Sequence, residues 1–525
     1  MIHSAVHLFR LTRALYVFAR EGVLSASEGA DLPPAARGGI NALRLIERRT
    51  GGEARVRLAA ALTRLGPTYV KLGQFLATRP DVVGVVLARD LQSLQDRMTP
   101  FPQAEAERTI AMALGRPVGT LYRSFGPPVA AASIAQVHRA EAETSEGLRA
   151  VAVKVLRPGI ASRFRSDLES FFFAARLAER HSVEAQRLRL VETVDTLARS
   201  VALEMDLRLE AAALSEMTEN TLRDPDFRVP AVDWDRTAKD VLTLEWIDGT
   251  PLWDREALIA REVDLPALAR AVMQTFLRHA LRDGFFHADM HPGNLFVDEA
   301  GLLVAVDFGI MGRLGPKERR FLAEILYGFI TRNYHRTAEV HFEAGYVPSQ
   351  HSVESFSQAI RAIGEPIHSR PAEDISMAKL LTLLFEVTGL FDMRTRPELL
   401  LLQKTMVVVE GVARSLDPKL DMWKTAEPVV REWVERHLGP AGQIEGAAEG
   451  VGELGRFFGQ VPALLSRASI LADQLDAITR NGLVLAPETV RGIGRAEARG
   501  NRPLTIALWV IAALLALILI SVRGS

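Results

Sequence analysis

The chain has 525 residues, is 48% hydrophobic and 24% charged, and carries a formal net charge of -1. Such a composition can bury a large core and is not that of a disordered chain, while the near-zero charge argues against a general nucleic-acid binder, which needs a net basic face. No cysteine is present, so disulfides, thiolate metal sites and cysteine nucleophiles are excluded.

Residues 1–20, MIHSAVHLFRLTRALYVFAR, are interrupted by Arg10, Arg13 and Arg20. They do not form a secretory signal. They read as an amphipathic helix with a basic side, lying either on a membrane surface or against the rest of the protein. The rest of the first hundred residues reads as helical, punctuated at Pro33-Pro34, Gly51-Gly52 and Gly66-Pro67. Short strands follow between about Pro128 and Leu156. VHRAEAE from Val137 alternates in character, AVAVKVL from Ala150 is apolar and β-branched, and the polar turn Thr144–Gly147 joins them. Helical patterns resume from Ser166 to about Asn220, and a strand at Asp240–Ile247 ends in the turn Asp248-Gly249. Beyond it the chain is mostly helical, with strand-like pieces at Asn294–Val297 and Leu302–Val306.

Residues 439–455, rich in Gly, Ala and Glu, read as a linker or loose helix, and an amphipathic helix is expected within 461–485. Residues 504–522 form an uncharged apolar run of 19 residues. A helix of that length nearly spans a hydrocarbon core of roughly 30 Å. Arg491, Arg495, Arg499 and Arg502 precede it and only Arg523 follows, which predicts a C-terminal anchor with the bulk of the chain in the cytoplasm. Strands before helices is the order of a small sheet-rich lobe followed by a larger helical one. The expected divisions are an N-terminal helical extension at 1–115, a sheet lobe with a helical insert at 116–250, a helical lobe at 251–440, a linker at 441–502 and a transmembrane anchor at 503–522.

The chemistry concentrates in Phe286-His-Ala-Asp-Met-His-Pro-Gly-Asn294, followed by Val306-Asp-Phe-Gly309. Asp289 is placed to accept a proton from, or orient, an attacking hydroxyl. Asn294 offers a carbonyl oxygen across a Pro-Gly turn. Asp307 offers a carboxylate at a strand-to-loop corner, where Gly309 is expected to permit the bend. Hard oxygen ligands of this kind suit Mg²⁺. An Asp, an Asn five residues on, and then Asp-Phe-Gly is the spacing of the kinase catalytic set. The competing reading makes His287 and His291 zinc ligands, but no nearby Glu or Cys completes a set and Asn is a poor zinc ligand. His287 then takes the structural place of the His in the kinase His-Arg-Asp.

Val151-Ala-Val-Lys154-Val matches the kinase strand whose lysine contacts the α- and β-phosphates and is held by a helix glutamate. A surface lysine on an edge strand is the plainer alternative. Glu204 and Glu210 are both candidate partners, and spacing does not decide between them. The glycine-rich phosphate loop is absent. Val129-Ala-Ala-Ala-Ser-Ile-Ala-Gln-Val137 stands in its place. Alanine enters the left-handed region at a cost, and its Cβ keeps the backbone further from phosphate. Such a turn could still offer backbone N–H groups and the Ser133 hydroxyl; otherwise it is a structural turn. The candidate nucleotide-contact set is Ala130, Ala131, Ala132, Ser133, Ile134, Ala135, Gln136, Val137 and His138, with Lys154, Glu245 and Ile247.

These departures from the ordinary kinase pattern carry a resemblance. Lys71-Leu-Gly-Gln74, the Ala-rich Ala130–Gln136, Lys154, Glu204-x-Asp206, the His287–Asn294 segment and Asp307-Phe-Gly309 stand in the order that the sequence shares with the UbiB (ADCK-type) atypical kinases linked to ubiquinone biosynthesis. The chain resembles that family from about Leu65 to Leu314. The resemblance implies an α+β, protein-kinase-like bilobal fold with an N-terminal helical extension across the site and a C-terminal transmembrane helix. It implies ATP or ADP with Mg²⁺ as cofactors, and adds Lys71 and Gln74, one helical face apart by three residues, to the nucleotide-contact set. An extension there would obstruct a protein substrate, and no Ala-Pro-Glu motif stands close after Asp-Phe-Gly to anchor a peptide-binding loop. Both points favour ATPase action or a small or lipid-like acceptor. The expected partners are a membrane lipid or polyprenylated quinone precursor and other ubiquinone-biosynthesis proteins, at the inner membrane. Bacterial members of the family usually end in two membrane segments, and only one is found here. The alternatives are a kinase for a protein or small molecule, and a nucleotide-gated scaffold.

Overall fold

Period-two alternation builds the sheet that carries Lys154. In β3 (Gly147–Leu156) Val151, Val153 and Val155 are buried on one face, which leaves Ala152 and Lys154 on the other. In the computed structural model, β3 is a central strand of a four-stranded antiparallel sheet in the order β1-β2-β3-β5, with β1 at Ser124–Ala131, β2 at Ala135–Thr144 and β5 at Val241–Glu245. The structure describes residues 2–23, 54–77, 79–83, 87, 90–91, 94, 98–144, 147–181, 183–368, 387, 389–393 and 397–439. β1 contains Pro127-Pro128 and lies at the sheet edge, where a missing N–H disrupts no ladder.

The N-terminal helices are α1 (Ile2–Arg20), α2 (Ala54–Leu65) and α3 (Pro67–Ala77). They are followed by α4 (Gln103–Leu114), whose Ala106 and Ile110 pack with Leu121 and Tyr122 on the valine face of β3. That helix was expected in the extension, but its apolar face completes the core of the sheet. Helices α5 (Ile160–His181) and α6 (Leu190–Glu204) form the insert between β3 and α7 (Leu207–Thr221), which runs beside β5. For α1 the packed reading holds. Leu11 and Leu15 are buried against Ala174 and Leu177 of α5, leaving Val6, Phe9 and Tyr16 on the outer side.

The second part of the chain is organised on α8 (Leu265–Arg278). The Asp264 side chain caps it by accepting the Ala267 N–H at 2.9 Å, and Pro266 sits in its first turn. A π-helical turn, His279–Asp283, closes at Gly284 (φ 65°) and feeds β7 (Phe285–His287). Strand β7 pairs with β10 (Met311–Arg313), which lies just beyond the Asp-Phe-Gly. A second sheet runs β4-β9-β8-β6, from Phe227–Arg228, Leu303–Ala305, Leu295–Asp298 and Gly249–Pro251. Helices α9 (Pro316–Ile330), α10 (Tyr334–Glu343) and α11 (Val353–His368) follow. Helix α12 (Pro397–Leu416) packs along α8 and reaches β10, and α13 is Met422–Leu438. A first compact unit of the chain extends to Glu427, and a second begins at Pro428.

Among the described residues no helix is long and apolar enough to cross a membrane. The linker expected at 441–502, the amphipathic helix within it and the anchor expected at 503–522 lie outside the described residues.

Gly284 is required by both conformation and space. Its φ is left-handed, and a Cβ there would collide with the Leu314 carbonyl, whose residue is bonded back to the Gly284 carbonyl at 2.8 Å. Gly284→Ala is expected to cost roughly 2 kcal/mol or more in stability, read as a lowered urea midpoint with an unchanged m-value.

Candidate active site

Lys154 lies opposite Val137 on β2 and Leu242 on β5, so it sits mid-sheet rather than on an edge. Its Nζ is 2.9 Å from both carboxylate oxygens of Glu210 and 2.7 Å from Oδ1 of Asp307. Glu210 stands in the first turn of α7, whose N-cap Asp206 accepts the Arg208 N–H. The Lys154 and Glu210 side chains are 15% and 6% exposed, whereas that of Asp307 is 51% exposed. Burial alone would push the ammonium towards neutrality, but Asp307 and Glu210 outweigh it and hold Lys154 well above the usual lysine range. The Lys154 charge in turn holds Asp307 well below the usual carboxylate range. Burial pushes Glu210 up to about 6, against the pull of Lys154. One ammonium is thus shared by two carboxylates, of which Asp307 is the half-exposed one.

The choice between the two glutamates is thereby settled by geometry. Glu204 ends α6 and pairs with Lys71 at 2.5 Å, both side chains 12% exposed. The chain breaks its helix at Met205-Asp206 before α7 begins, and this changes the helical phase and sends Glu210 to a different lysine. Lys71 is close enough to Asp307 to lower its pKa further. Gln74 is half-buried on the same helix. Gly73 between them allows a close approach, since a Cβ there would lie 2.8 Å from Leu62 and 3.1 Å from Leu94.

The Asp289 segment is held by backbone bonds. His287, fully buried, accepts the Asp289 N–H on Nδ1 at 3.0 Å and lies 3.1 Å through Nε2 from the Val306 carbonyl. Burial lowers its pKa, which favours the neutral ring. With Nδ1 accepting, the proton must sit on Nε2 and be donated to Val306. One imidazole therefore brackets the backbone at Asp289 and the residue before Asp307. The Asn294 amide nitrogen donates to the Asp289 carbonyl at 3.1 Å, leaving its Oδ1 for other contacts, and the Asn294 carbonyl accepts the Val306 N–H at 2.8 Å. The bend at Asp-Phe-Gly is not made by Gly309. Asp307 itself has φ 62°, and the Gly309 φ is not left-handed. Aspartate tolerates that region better than most side chains, and such outliers cluster at functional sites. The zinc reading loses its ligands. Both His287 nitrogens are engaged, His291 Nδ1 accepts the Gly293 N–H at 3.0 Å, and no three His, Asp or Glu side chains among the described residues group as a metal site.

The Ala-rich turn differs most from expectation. Ser133 is fully buried, and the Ala132 N–H is used on the Ala135 carbonyl at 2.8 Å, so neither is open to a phosphate. Arg157 grips the turn from behind, donating to the Ala132 carbonyl through Nε and a terminal nitrogen at 3.0 and 2.8 Å. Ile134 and Ala135 are buried, while Ala130 and Ala131 are exposed and half-buried. Gln136 and His138 belong to the core. The Gln136 carbonyl oxygen accepts the Phe101 N–H at 2.9 Å, its amide lies 2.9 Å from the His138 ring, and His138 stacks on Phe125 and bonds the Gly126 carbonyl. They share the inward face of β2 with Ala140 and Ala142, whereas Val137, opposite Lys154, takes the cleft face. Glu245 is not directed at a nucleotide either. It pairs with Arg228 at 3.0 Å, and Arg228 also binds Asp298 at 2.8 Å, bracing β5 against the second sheet. Ile247 lies half-buried in the link between β5 and β6.

Residues 93–341 match the ABC1 atypical kinase-like domain, and residues 360–421 match the UbiB helical domain. Proteins named "Probable protein kinase UbiB" are similar over most of the chain. That of Marinobacter nauticus is 43% identical over 394 residues, 74% of this chain and 72% of its own. That of Azotobacter vinelandii is 40% identical over 406 residues, 76% and 75% of the two chains. A solved structure, "The complex structure of Rv3197-erythromycin from Mycobacterium tuberculosis", is 24% identical with a TM-score of 0.49, covering 75% of this chain and 98% of that one.

The two lysine–glutamate pairs are separable by competitive acetylation at neutral pH, read by mass spectrometry. Glu210→Gln is expected to raise the reactivity of Lys154 about tenfold, the free-amine increase for a pKa one unit lower, and to leave Lys71 unchanged. Glu204→Gln is expected to do the reverse.

Proposed function

The chain belongs to the UbiB family of atypical kinase-like proteins, and from that premise we propose that it binds magnesium–ATP in the cleft beside Lys154 and turns it over in support of ubiquinone synthesis at a membrane. The observation that carries this reading is the buried Lys154 ammonium shared by Glu210 and Asp307. Asp307 and Asn294 would hold the metal. Their fit is chemical: Asp307 is an ionised, half-exposed carboxylate, and the Asn294 amide nitrogen is occupied, so that its oxygen is the group left to offer. Bound magnesium–ATP would supply the electrophilic phosphorus and the metal charge. Lys154 would neutralise phosphate charge there. Asp289, fixed through its backbone by His287 and Asn294, orients the attacking oxygen and takes its proton. The Lys71–Glu204 pair brings α3 against α6 next to this centre and supports a small or lipid-like acceptor, or water, over a protein. The apolar run at 504–522 supports a membrane location. A polyprenylated quinone precursor or another enzyme of that synthesis fits as partner.

One observation favours a second reading, a nucleotide-gated scaffold with little turnover. The Ala132 N–H and Ser133 are both engaged within the protein, so the turn offers fewer phosphate donors than a glycine-rich loop.

Phosphate release by purified protein, with and without lipid vesicles, separates the two. Asp289→Asn is expected to lower release about 100-fold or more and to leave ADP affinity within about threefold, because it changes no ground-state charge on the nucleotide phosphates. Nucleotide binding with no release from the unaltered protein under either condition would sink the catalytic reading and leave the scaffold.

A further inference from the structure

We propose that α12, which lies beyond the kinase-like stretch, supplies a positioning residue to the catalytic centre: the Thr405 hydroxyl holds the peptide unit that carries Asp289. Thr405 is fully buried, and its Oγ1 lies 3.1 Å from the Ala288 carbonyl and 2.8 Å from the Leu401 carbonyl one turn back. A threonine inside a helix ordinarily donates its one proton to the carbonyl one turn back. Here a second acceptor, 117 positions away in sequence, lies within reach of the same proton. The Ala288 carbonyl and the Asp289 N–H are the two ends of one planar peptide. Thr405 meets the first, and His287 Nδ1 accepts the second at 3.0 Å. With a partner at each end, rotation of the plane about its flanking bonds is opposed, and so is any change in the direction of the Asp289 Cα–Cβ bond. The Ala288 N–H, bonded to the Ile310 carbonyl at 3.0 Å, fixes the preceding peptide as well. Ala288 is itself buried, so its carbonyl has no ready access to water when the hydroxyl is removed.

This inference rests on the role given to Asp289 above, and its test keeps the two apart. Full-length Thr405→Val, which preserves shape and loses the hydroxyl, is compared with Thr405→Ser, which keeps it. Four quantities are measured: kcat and KM for ATP turnover, ADP affinity, and hydrogen exchange of the peptide spanning Phe286–Asn294. Thr405→Val is expected to lower kcat about tenfold with KM and ADP affinity within about twofold, the pattern of misplaced chemistry rather than lost binding. It also speeds exchange in that peptide alone, and Thr405→Ser restores both. Unchanged kcat and exchange in Thr405→Val overturn the proposal. So does faster exchange throughout the protein, which marks a plain packing role, or a Thr405→Ser that behaves like Thr405→Val. If the unaltered protein turns over no ATP, the catalytic reading fails by itself. The exchange comparison still decides the coupling: protection lost in Val and kept in Ser sustains it, and equal protection in all three removes it.

Discussion

The centre of this molecule is arranged around the buried ammonium of Lys154. A charge taken out of water is tolerated only where opposite charges meet it at short range, and the three groups that meet here come from three separate parts of the chain. Lys154 arrives on a central strand, Glu210 on the first turn of a helix, and Asp307 at a left-handed corner 153 positions beyond the lysine. The sheet, the helix and the corner can each move only if the others follow, since displacing one leaves a charge without its partner.

The remaining connections extend that constraint outward. Arg228 joins Glu245 at the end of the first sheet to Asp298 in the second. His287 links the strand before Asp289 to the strand before Asp307. Lys71 and Glu204 tie the N-terminal helices to the insert. Each link is a polar side chain with little or partial exposure reaching across elements, where its hydrogen bonds are worth more than on an open surface. Apolar packing sets which faces meet, as with the valines of β3 against Ile110, and the polar links set register and angle.

Much of this could be read in the sequence, and the exceptions have physical reasons. Lys154, Asp289, Asn294 and Asp307 were legible because each sits in a short pattern whose spacing follows from the chemistry. The lysine's partner was not, because the helix break at Met205-Asp206 resets the phase that spacing arguments rely on. Strand β1 was hidden by Pro127-Pro128, a dipeptide that reads as a turn and is tolerated here only at an edge. Strands β7 and β10, three residues each, are too short to show any period. The inward turn of Gln136 and His138 was available: counting by twos along β2 puts them with Ala140 and Ala142 and puts Val137 with the neighbours of Lys154. What no local pattern signals is the work of Arg157, Arg228 and Thr405, whose partners are distant in sequence.

The left-handed backbone at Asp307 limits how this position can change over evolutionary time. An alanine or valine drifting into it meets a steric penalty on top of the vanished charge, so such a lineage loses backbone comfort and the ion pair with Lys154 in one step. Asparagine and glycine sit in that conformation with less difficulty. A descendant that gave up this carboxylate but kept its architecture would be found carrying one of those two, and the residue at this corner would mark which relatives retain the ion pair with the buried lysine.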